Sequence, residues 1–131
     1  MMTMYHSIQN SALKNLSVDF CHLGDVGGVA IAEACQNGAP LKTLSMKEND
    51  LKDETAKAFA FSLLMRNCNL ESLDLSNNLI NDSGGELVAK SLQENNKLLR
   101  LNMSKNNMRD TSGAMFALSM RMNPVILTLN L

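Results

Sequence analysis

The sequence contains no tryptophan, and only 4% of its 131 residues are aromatic. Its hydrophobic core must therefore be built mainly from aliphatic residues and from methionine, of which there are ten. An excess of charge is also lacking, because 12 Lys and Arg stand against 13 Asp and Glu. Without an overall positive field to attract nucleic acid or anionic lipid, we expect neither as a partner.

Cysteine is sparse as well, with Cys21, Cys35 and Cys68 widely spaced along the chain. This odd number fits neither a disulfide framework nor the paired ligands of a zinc site, and it favours a reducing compartment. The N-terminus lacks the pattern of a secretory signal, and no run of about 18 apolar residues occurs. We therefore predict a cytoplasmic protein that is neither secreted nor embedded in a membrane.

What the sequence does contain is an internal repeat that covers nearly all of it. The same phrase, with apolar residues at its first, fourth and sixth positions, opens at residues 13, 41, 70, 98 and 126. In the phrase that opens at Leu70, the alternating Leu73 and Leu75 predict a short strand with one buried face. The polar residues between them, such as Asp74, predict an opposite face that is open to solvent.

Three residues after each of the first four phrases comes an Asn or a Cys, and we predict that these residues form a buried ladder in the turns. An Asn amide can bond backbone groups of its own turn and of the neighbouring repeat. A Cys supplies only a weak donor, so we expect the first turn to be held less firmly. The predicted ladder consists of Cys21, Asn49, Asn78 and Asn106.

The second half of each repeat predicts a helix. An Asp lies twelve positions after each opening residue, at 25, 53, 82 and 110, and Asp is a favoured N-cap that also suits the helix dipole. Downstream, apolar columns that include Ile31, Phe59, Val88 and Phe116 fall on one helical stripe. An Ala column at 32, 60, 89 and 117 predicts close packing, and Asn37, Asn67, Asn95 and Asn123 are placed to close the helix ends.

Together these columns spell L-x-x-L-x-L-x-x-N/C-x-L, and with a period near 28 the chain resembles the ribonuclease-inhibitor-like leucine-rich repeats. That group includes ribonuclease inhibitor, NOD-like receptors, the GTPase-activating protein for Ran, tropomodulins and axonemal proteins. The resemblance implies an α/β solenoid, a segment of a right-handed horseshoe with parallel strands on the concave side and helices on the convex side. It also implies a protein partner bound at the concave face, and it allows cytoskeletal or axonemal association.

We divide the chain into one leucine-rich repeat domain, 1–131. Residues 1–12 resemble the tail of a preceding repeat, with Met4, Tyr5 and Ile8 on its helix, or an N-terminal cap. Four repeats follow at 13–40, 41–69, 70–97 and 98–125, and 126–131 is the strand of a fifth. The extra residue of the second repeat predicts a local bulge near 66–69. Since solenoids need capping units, we expect a fragment of a longer protein or a chain completed by a partner, with end strands open to edge-to-edge association.

No residue pattern points to catalysis, a cofactor or a metal. The Gly-rich segment 22–28 lacks the Gly-Lys-Ser/Thr of a P-loop, and its register matches the third repeat. Cys21 beside His22 is better explained as a buried turn position than as a nucleophile or ligand. Cys35 falls in a core column and should be inert, whereas Cys68 falls in a predicted loop and should be exposed. Met46, Met103, Met108 and Met120 replace consensus leucines, so we assign them to the core.

The polar face of the strands is the candidate binding surface, here called the concave face. We expect Arg100 to be its charged anchor, either contacting a partner or pairing with Asp74, and Phe20 to lie at its rim. The alternative is a solvated, lightly used face, because its residues are small and mostly uncharged. Its predicted members are Asn15, Ser17, Asp19, Phe20, Thr43, Ser45, Lys47, Ser72, Asp74, Ser76, Arg100, Asn102, Ser104, Thr128 and Asn130.

We therefore predict a non-enzymatic scaffold that binds a protein partner through the concave face and adjoining loops. Two alternatives stay open. The first is a regulator that resembles the GTPase-activating protein for Ran, although no loop Arg is identified for that role. The second is the ligand-sensing segment of a NOD-like receptor.

Overall fold

A computed structural model describes residues 2–131, with side chains from residue 5 onward. Met1 and the side chain of Met4, which the sequence places in a preceding repeat, lie outside the described part. Five helices alternate with five strands along the chain. In order they are α1 (Met2–Gln9), β1 (Asn15–Ser17), α2 (Gly24–Gln36), β2 (Thr43–Ser45), α3 (Asp53–Leu64), β3 (Ser72–Asp74), α4 (Asp82–Ser91), β4 (Arg100–Asn102), α5 (Asp110–Met122) and β5 (Thr128–Asn130).

The strands form one open parallel sheet in the order β1-β2-β3-β4-β5, and each helix packs against the next. Equivalent residues of adjacent strands are paired, as in Leu44 with Leu73 and Leu73 with Leu101. The alternation predicted from the sequence is present, since Leu73 and Leu75 are buried between sheet and helices. The α/β leucine-rich repeat solenoid expected from the sequence is therefore confirmed.

The core is aliphatic and continuous through the stack. In the first column of the predicted helix stripe, Ile31, Phe59, Val88 and Phe116 are all fully buried. Met46 and Met103 are also fully buried, while Met108 and Met120 are half-buried against the same core. The expectation that methionine substitutes for leucine in the core therefore holds fully for two of the four residues and partly for the other two.

The Ala column is buried in α2, α3 and α4, but Ala117 in α5 is exposed. The reason is positional, because no helix of the described chain packs on the far side of α5. The same effect acts at the first strand, where the opening residue Leu13 is 41% exposed whereas Leu41, Leu70 and Leu98 are fully buried. Burial in a solenoid thus depends on the neighbouring repeat as much as on the residue type.

Two expectations about the segment after α3 are wrong. Cys68 is in a loop but is only 1% exposed, and this burial raises the pKa of its thiol. The equivalent residue of the first repeat, Ala39, is also fully buried. Asn67 is exposed, and it is Asn69 whose side-chain amide donates to Ala39 O at 3.1 Å. The chain turns at 65–68, where we place the extra residue, and Cys68 N donates to Met65 O at 3.2 Å.

The helix-end asparagines Asn95 and Asn123 form a second set of bonds between repeats. The side-chain amide of Asn95 donates to Leu63 O at 2.9 Å, and its oxygen accepts from Leu98 N at 2.8 Å. The amide of Asn123 donates to Leu92 O at 2.7 Å in the same way. These residues therefore tie the end of one helix to the end of the helix before it.

Candidate functional site

The concave face is organised in rows, because the five strands are parallel and in register. Neighbouring strands lie about 4.8 Å apart, so equivalent side chains stand next to one another at that spacing. The middle residue of each strand points into the core, and the first and third residues point to the open side. We call the two open rows the first row, made of Asn15, Thr43, Ser72, Arg100 and Thr128, and the third row, made of Ser17, Ser45, Asp74, Asn102 and Asn130.

The first row is free of internal polar contacts. Within the described part of the chain, none of its five side chains takes part in a hydrogen bond or an ion pair. Arg100, on β4, is exposed and lies between Ser72 and Thr128 in the ladder. This row therefore presents hydroxyl, amide and guanidinium groups to solvent at a regular spacing.

The third row and the residues just after it are engaged with one another. The carboxylate of Asp19 accepts a hydrogen bond from Ser45 Oγ at 2.7 Å and from Lys47 N at 2.8 Å. Partial burial acts to raise the pKa of Asp19, but the hydrogen bonds from Ser45 and the Lys47 backbone outweigh it and hold the pKa below its ordinary value. Asp19 thus fixes the end of β2 from the preceding repeat.

Asp74 is held in a similar local network, and the suggested pairing with Arg100 is wrong. Its carboxylate accepts from Ser76 N at 2.9 Å and Ser76 Oγ at 2.6 Å, and Lys47 Nζ lies 3.8 Å from its other oxygen. Asn102 accepts from the backbone and hydroxyl of Ser104 in the same geometry, at 3.0 and 2.7 Å. Most of this row is consequently committed to ending the strands.

Ser76 must be removed from the predicted binding surface, because it is only 2% exposed. Its hydroxyl turns back to Asp74 instead of pointing to solvent. The remaining concave-face residues are exposed or half-buried. Alternation alone assigns Ser72 and Ser76 to the same face, because it does not take account of the acceptor Asp74 two residues before Ser76.

Phe20 lies at the rim of the face with 66% of its surface exposed. Its backbone has a φ of 57°, in the left-handed region, and the equivalent residues Glu48, Asn77 and Lys105 share this conformation. A left-handed backbone costs a non-glycine residue roughly 1 to 2 kcal/mol. The turn of each repeat thus requires this geometry, and in the first repeat it presents an aromatic ring to solvent.

The turn ladder lies directly behind the rim. The side-chain oxygen of Asn78 accepts from Asn49 N at 2.9 Å and Leu51 N at 3.1 Å. Its amide nitrogen lies 3.1 Å from Met46 O and 3.0 Å from Leu75 O. Each asparagine of the ladder therefore bonds the turn of the preceding repeat as well as its own.

Cys21 differs from the other rungs, and the expectation that it is buried is wrong. Its side chain is exposed, and its Sγ lies 3.3 Å from Asp19 O. Because a rung acts on the repeat before it, the first turn is held by Asn49, whose oxygen accepts from Cys21 N at 2.9 Å and Leu23 N at 3.3 Å. The predicted weakness of the first turn therefore does not follow from having Cys at position 21. Asn106 continues the ladder by accepting from Ile80 N at 3.0 Å.

The sequence pattern predicts that the aspartates at the starts of the helices cap their own helices, and this prediction is wrong. Instead, Asp25, Asp53 and Asp82 each accept hydrogen bonds from the start of the next helix. Asp25 accepts from Thr55 Oγ1 at 2.6 Å and from Lys52 N at 2.9 Å. Asp53 accepts from Asn81 N at 2.8 Å.

Asp82 makes the same kind of interaction with the start of α5. It accepts from Ser112 Oγ at 2.5 Å and from Arg109 N at 2.6 Å, and these bonds lower its pKa to about 2. Since this pKa lies below the ordinary 3.8, the charged carboxylate stabilises the fold fully above that pH. The contribution is lost as the pH falls towards 2. Thr55 and Ser112, whose hydroxyl groups donate to Asp25 and Asp82, were not identified from the sequence.

The remaining polar groups give no sign of a reactive centre. His22 Nδ1 lies 3.6 Å from Asp50, but the two side chains are 90% and 67% exposed, so the pair is weak. Burial raises the pKa of Cys35 far above its ordinary value, with a further contribution from nearby Cys68, and favours the neutral thiol. Among the described side chains, no group of three or more His, Cys, Asp or Glu is placed to hold a metal. No helix between residues 2 and 131 has the length and apolar character needed to cross a membrane.

Stacked strand, turn and helix units with an asparagine ladder define a leucine-rich repeat solenoid. The profile of a family described as Leucine Rich repeat matches residues 9–32, 39–60, 66–89 and 94–117, more than half of the chain. The chain therefore belongs to the leucine-rich repeat family. Among solved structures it is similar to leiomodin-1 actin-binding site 2, with a TM-score of 0.88, 19% identity, and coverage of 96% of this chain and 75% of that chain. A comparison with curated proteins finds no match.

Proposed function

We propose that the chain is a non-enzymatic scaffold that binds a protein partner through the first row of the concave face and the adjoining rim. The observation that carries the proposal is the difference between the rows. The third row satisfies most of its polar groups internally, whereas the first row leaves hydroxyl, amide and guanidinium groups open to a partner.

The composition of the first row fits recognition of a polar protein surface. Arg100 is the one charged member of the row, and arginine is enriched among residues that dominate binding energy. Its guanidinium pairs with no carboxylate within the described part of this chain, so it is free to form a bidentate contact with a carboxylate of another protein. Phe20 offers a second anchor at the rim, where an exposed ring can be buried on binding.

Actin is the partner we propose to test first. Leiomodin-1 actin-binding site 2 has the same fold, and its name records actin binding. Association with actin would place this chain on the cytoskeleton. The observation that supports actin is the shared fold. The contacts with actin would have to come from this chain's own first row and rim.

The experiment measures binding of the chain to monomeric and filamentous actin by fluorescence titration and co-sedimentation. Arg100→Glu is expected to weaken binding about tenfold or more, because it replaces a cation facing a partner carboxylate with a repelling anion. Arg121→Glu is the matched control, since it makes the same charge change on an exposed position of α5. Its affinity should stay within about twofold of the wild type.

Two results would count against the proposal in different ways. If neither form of actin binds, actin is not the partner, and the concave-face proposal must be tested with another protein. If actin binds and the two charge-reversed variants behave alike, the first row is not the contact surface.

A further inference from the structure

The convex side carries an apolar groove that the repeat pattern does not require. It lies between α3 and α4, has a volume of about 330 Å³, and includes Phe61, Leu64 and Leu87 in its lining. These three side chains are 51%, 51% and 39% exposed, so they contribute little to the core. An exposed apolar cluster of this kind on a folded domain marks an interaction surface.

Comparison between repeats shows that other helices have polar residues at positions where α3 is apolar. At the position of Phe61, α2 has Glu33 and α4 has Lys90. At the position of Leu64, α2 has Gln36 and the fourth repeat has Arg121. The first and third repeats thus fold with polar residues at these places, so the fold does not require the apolar ones, although α5 has an apolar residue, Leu118, at the position of Phe61.

The charged residues that line the groove indicate which kind of partner it binds. Lys57 on α3 and Lys90 on α4 both line it, and no Asp or Glu does. Both lysines are exposed, and within the described part of the chain neither lies in an ion pair with a carboxylate. The groove itself therefore carries positive charge beside its apolar floor, although the net charge of the chain is -1.

We propose that this groove is a second docking site, which binds an acidic amphipathic segment of a partner protein. Apolar side chains of that segment would fill the space between Phe61, Leu64 and Leu87, and flanking Asp or Glu would meet Lys57 and Lys90. A second copy of this chain is disfavoured because it would bring like charges together. A bilayer is disfavoured because the apolar surface is a groove between two helices and is not a flat face.

The test uses two synthetic helical peptides with the same leucine stripe, one flanked by Glu and the other by Lys. Amide chemical shifts of the ¹⁵N-labelled full chain are followed during each titration. The acidic peptide is expected to shift amides of α3 and α4 around Phe61 and Leu87, and to bind at least about tenfold more tightly than the basic peptide.

Phe61→Gln tests the floor of the groove, and Leu118→Gln is its control. Leu118 occupies the equivalent position of α5 and is 44% exposed, so the two variants remove similar apolar groups. Phe61→Gln should weaken the acidic peptide about tenfold and Leu118→Gln should leave its affinity unchanged. The double variant Lys57→Glu with Lys90→Glu should reverse the preference between peptides.

Several results would overturn the proposal. Equal affinity for the two peptides, no binding of the acidic one, or shifts located away from α3 and α4 would each do so. Shifts of the same amides that depend on protein concentration without peptide would indicate self-association instead. Co-sedimentation with phosphatidylserine vesicles that Phe61→Gln abolishes, without any response to peptide, would indicate a lipid surface. None of these results depends on whether the concave face binds actin.

Discussion

Replacing Asn78 with alanine is expected to lower the free energy of unfolding by at least about 3 kcal/mol. The side-chain oxygen of Asn78 accepts from the N–H groups of Asn49 and Leu51, both of which are fully buried. Its amide nitrogen also donates hydrogen bonds to the carbonyl groups of Met46 and Leu75. Alanine would leave these groups without partners in a region closed to water, and each unsatisfied buried group costs about 1 to 3 kcal/mol.

Urea unfolding followed by circular dichroism measures this loss. Asn107→Ala is the matched control, because Asn107 is exposed and its backbone N donates to Ile80 O independently of the side chain. That variant should change stability by no more than about 0.5 kcal/mol. If Asn78→Ala were equally mild, the ladder would not be the element that holds adjacent turns together.

Replacing Leu73 with alanine is the second change with a large expected effect, about 2 to 5 kcal/mol of lost stability. Leu73 is 1% exposed and lies at the centre of β3, where it is paired in register with Leu44 and Leu101. The loss combines the transfer energy of the removed methyl groups with the cost of the cavity they leave. In a stacked solenoid, the damage reaches both neighbouring repeats.

Ser72→Ala provides the control for Leu73→Ala at the adjacent position. Ser72 is on the open side of the same strand, and its hydroxyl makes no internal hydrogen bond within the described chain. Its replacement should leave the unfolding midpoint almost unchanged, within about 0.5 kcal/mol. Equal effects of the two substitutions, measured by the same denaturation assay, would show that the faces of the strand are assigned incorrectly.

Much of the fold could be predicted because the same residue pattern recurs in each repeat. The spacing of Leu70, Leu73 and Leu75 specifies a strand with one buried face, and five occurrences remove the ambiguity of any single one. The position of Asn78 relative to that strand likewise specified a turn ladder. The strand and the turn both depend on residues within one repeat, so the pattern of that repeat predicts them.

The errors arose where one repeat acts on the next. Asp82 has the sequence context of a helix cap, yet it bonds the following helix because the stacking distance brings Ser112 within reach. Cys21 lies in the ladder column, yet it is exposed because the described chain has no earlier turn for it to hold. Cys68 is in a loop, yet the loop packs into the core near Cys35. Such contacts depend on geometry between repeats, which a single repeat does not encode.

The candidate site was predicted in outline but not in its division into rows. Alternation placed Ser72, Asp74 and Ser76 on one face, whereas the structure separates an open Ser72 from a buried Ser76 that bonds Asp74. A signal was present, since Asp74-x-Ser76 and Asn102-x-Ser104 repeat an acceptor two residues before a serine. That spacing is typical of a local side-chain to backbone turn.

We propose that a protein partner contacts the first row of the concave face. Steric blocking of that row is tested by measuring the affinity for actin of Ser72→Trp and of Ala114→Trp, an equally bulky change on an exposed position of α5. Ser72→Trp is expected to abolish measurable binding while the fold stays intact by circular dichroism, and Ala114→Trp is expected to bind as the wild type does. Undiminished binding by a folded Ser72→Trp chain would contradict the proposal.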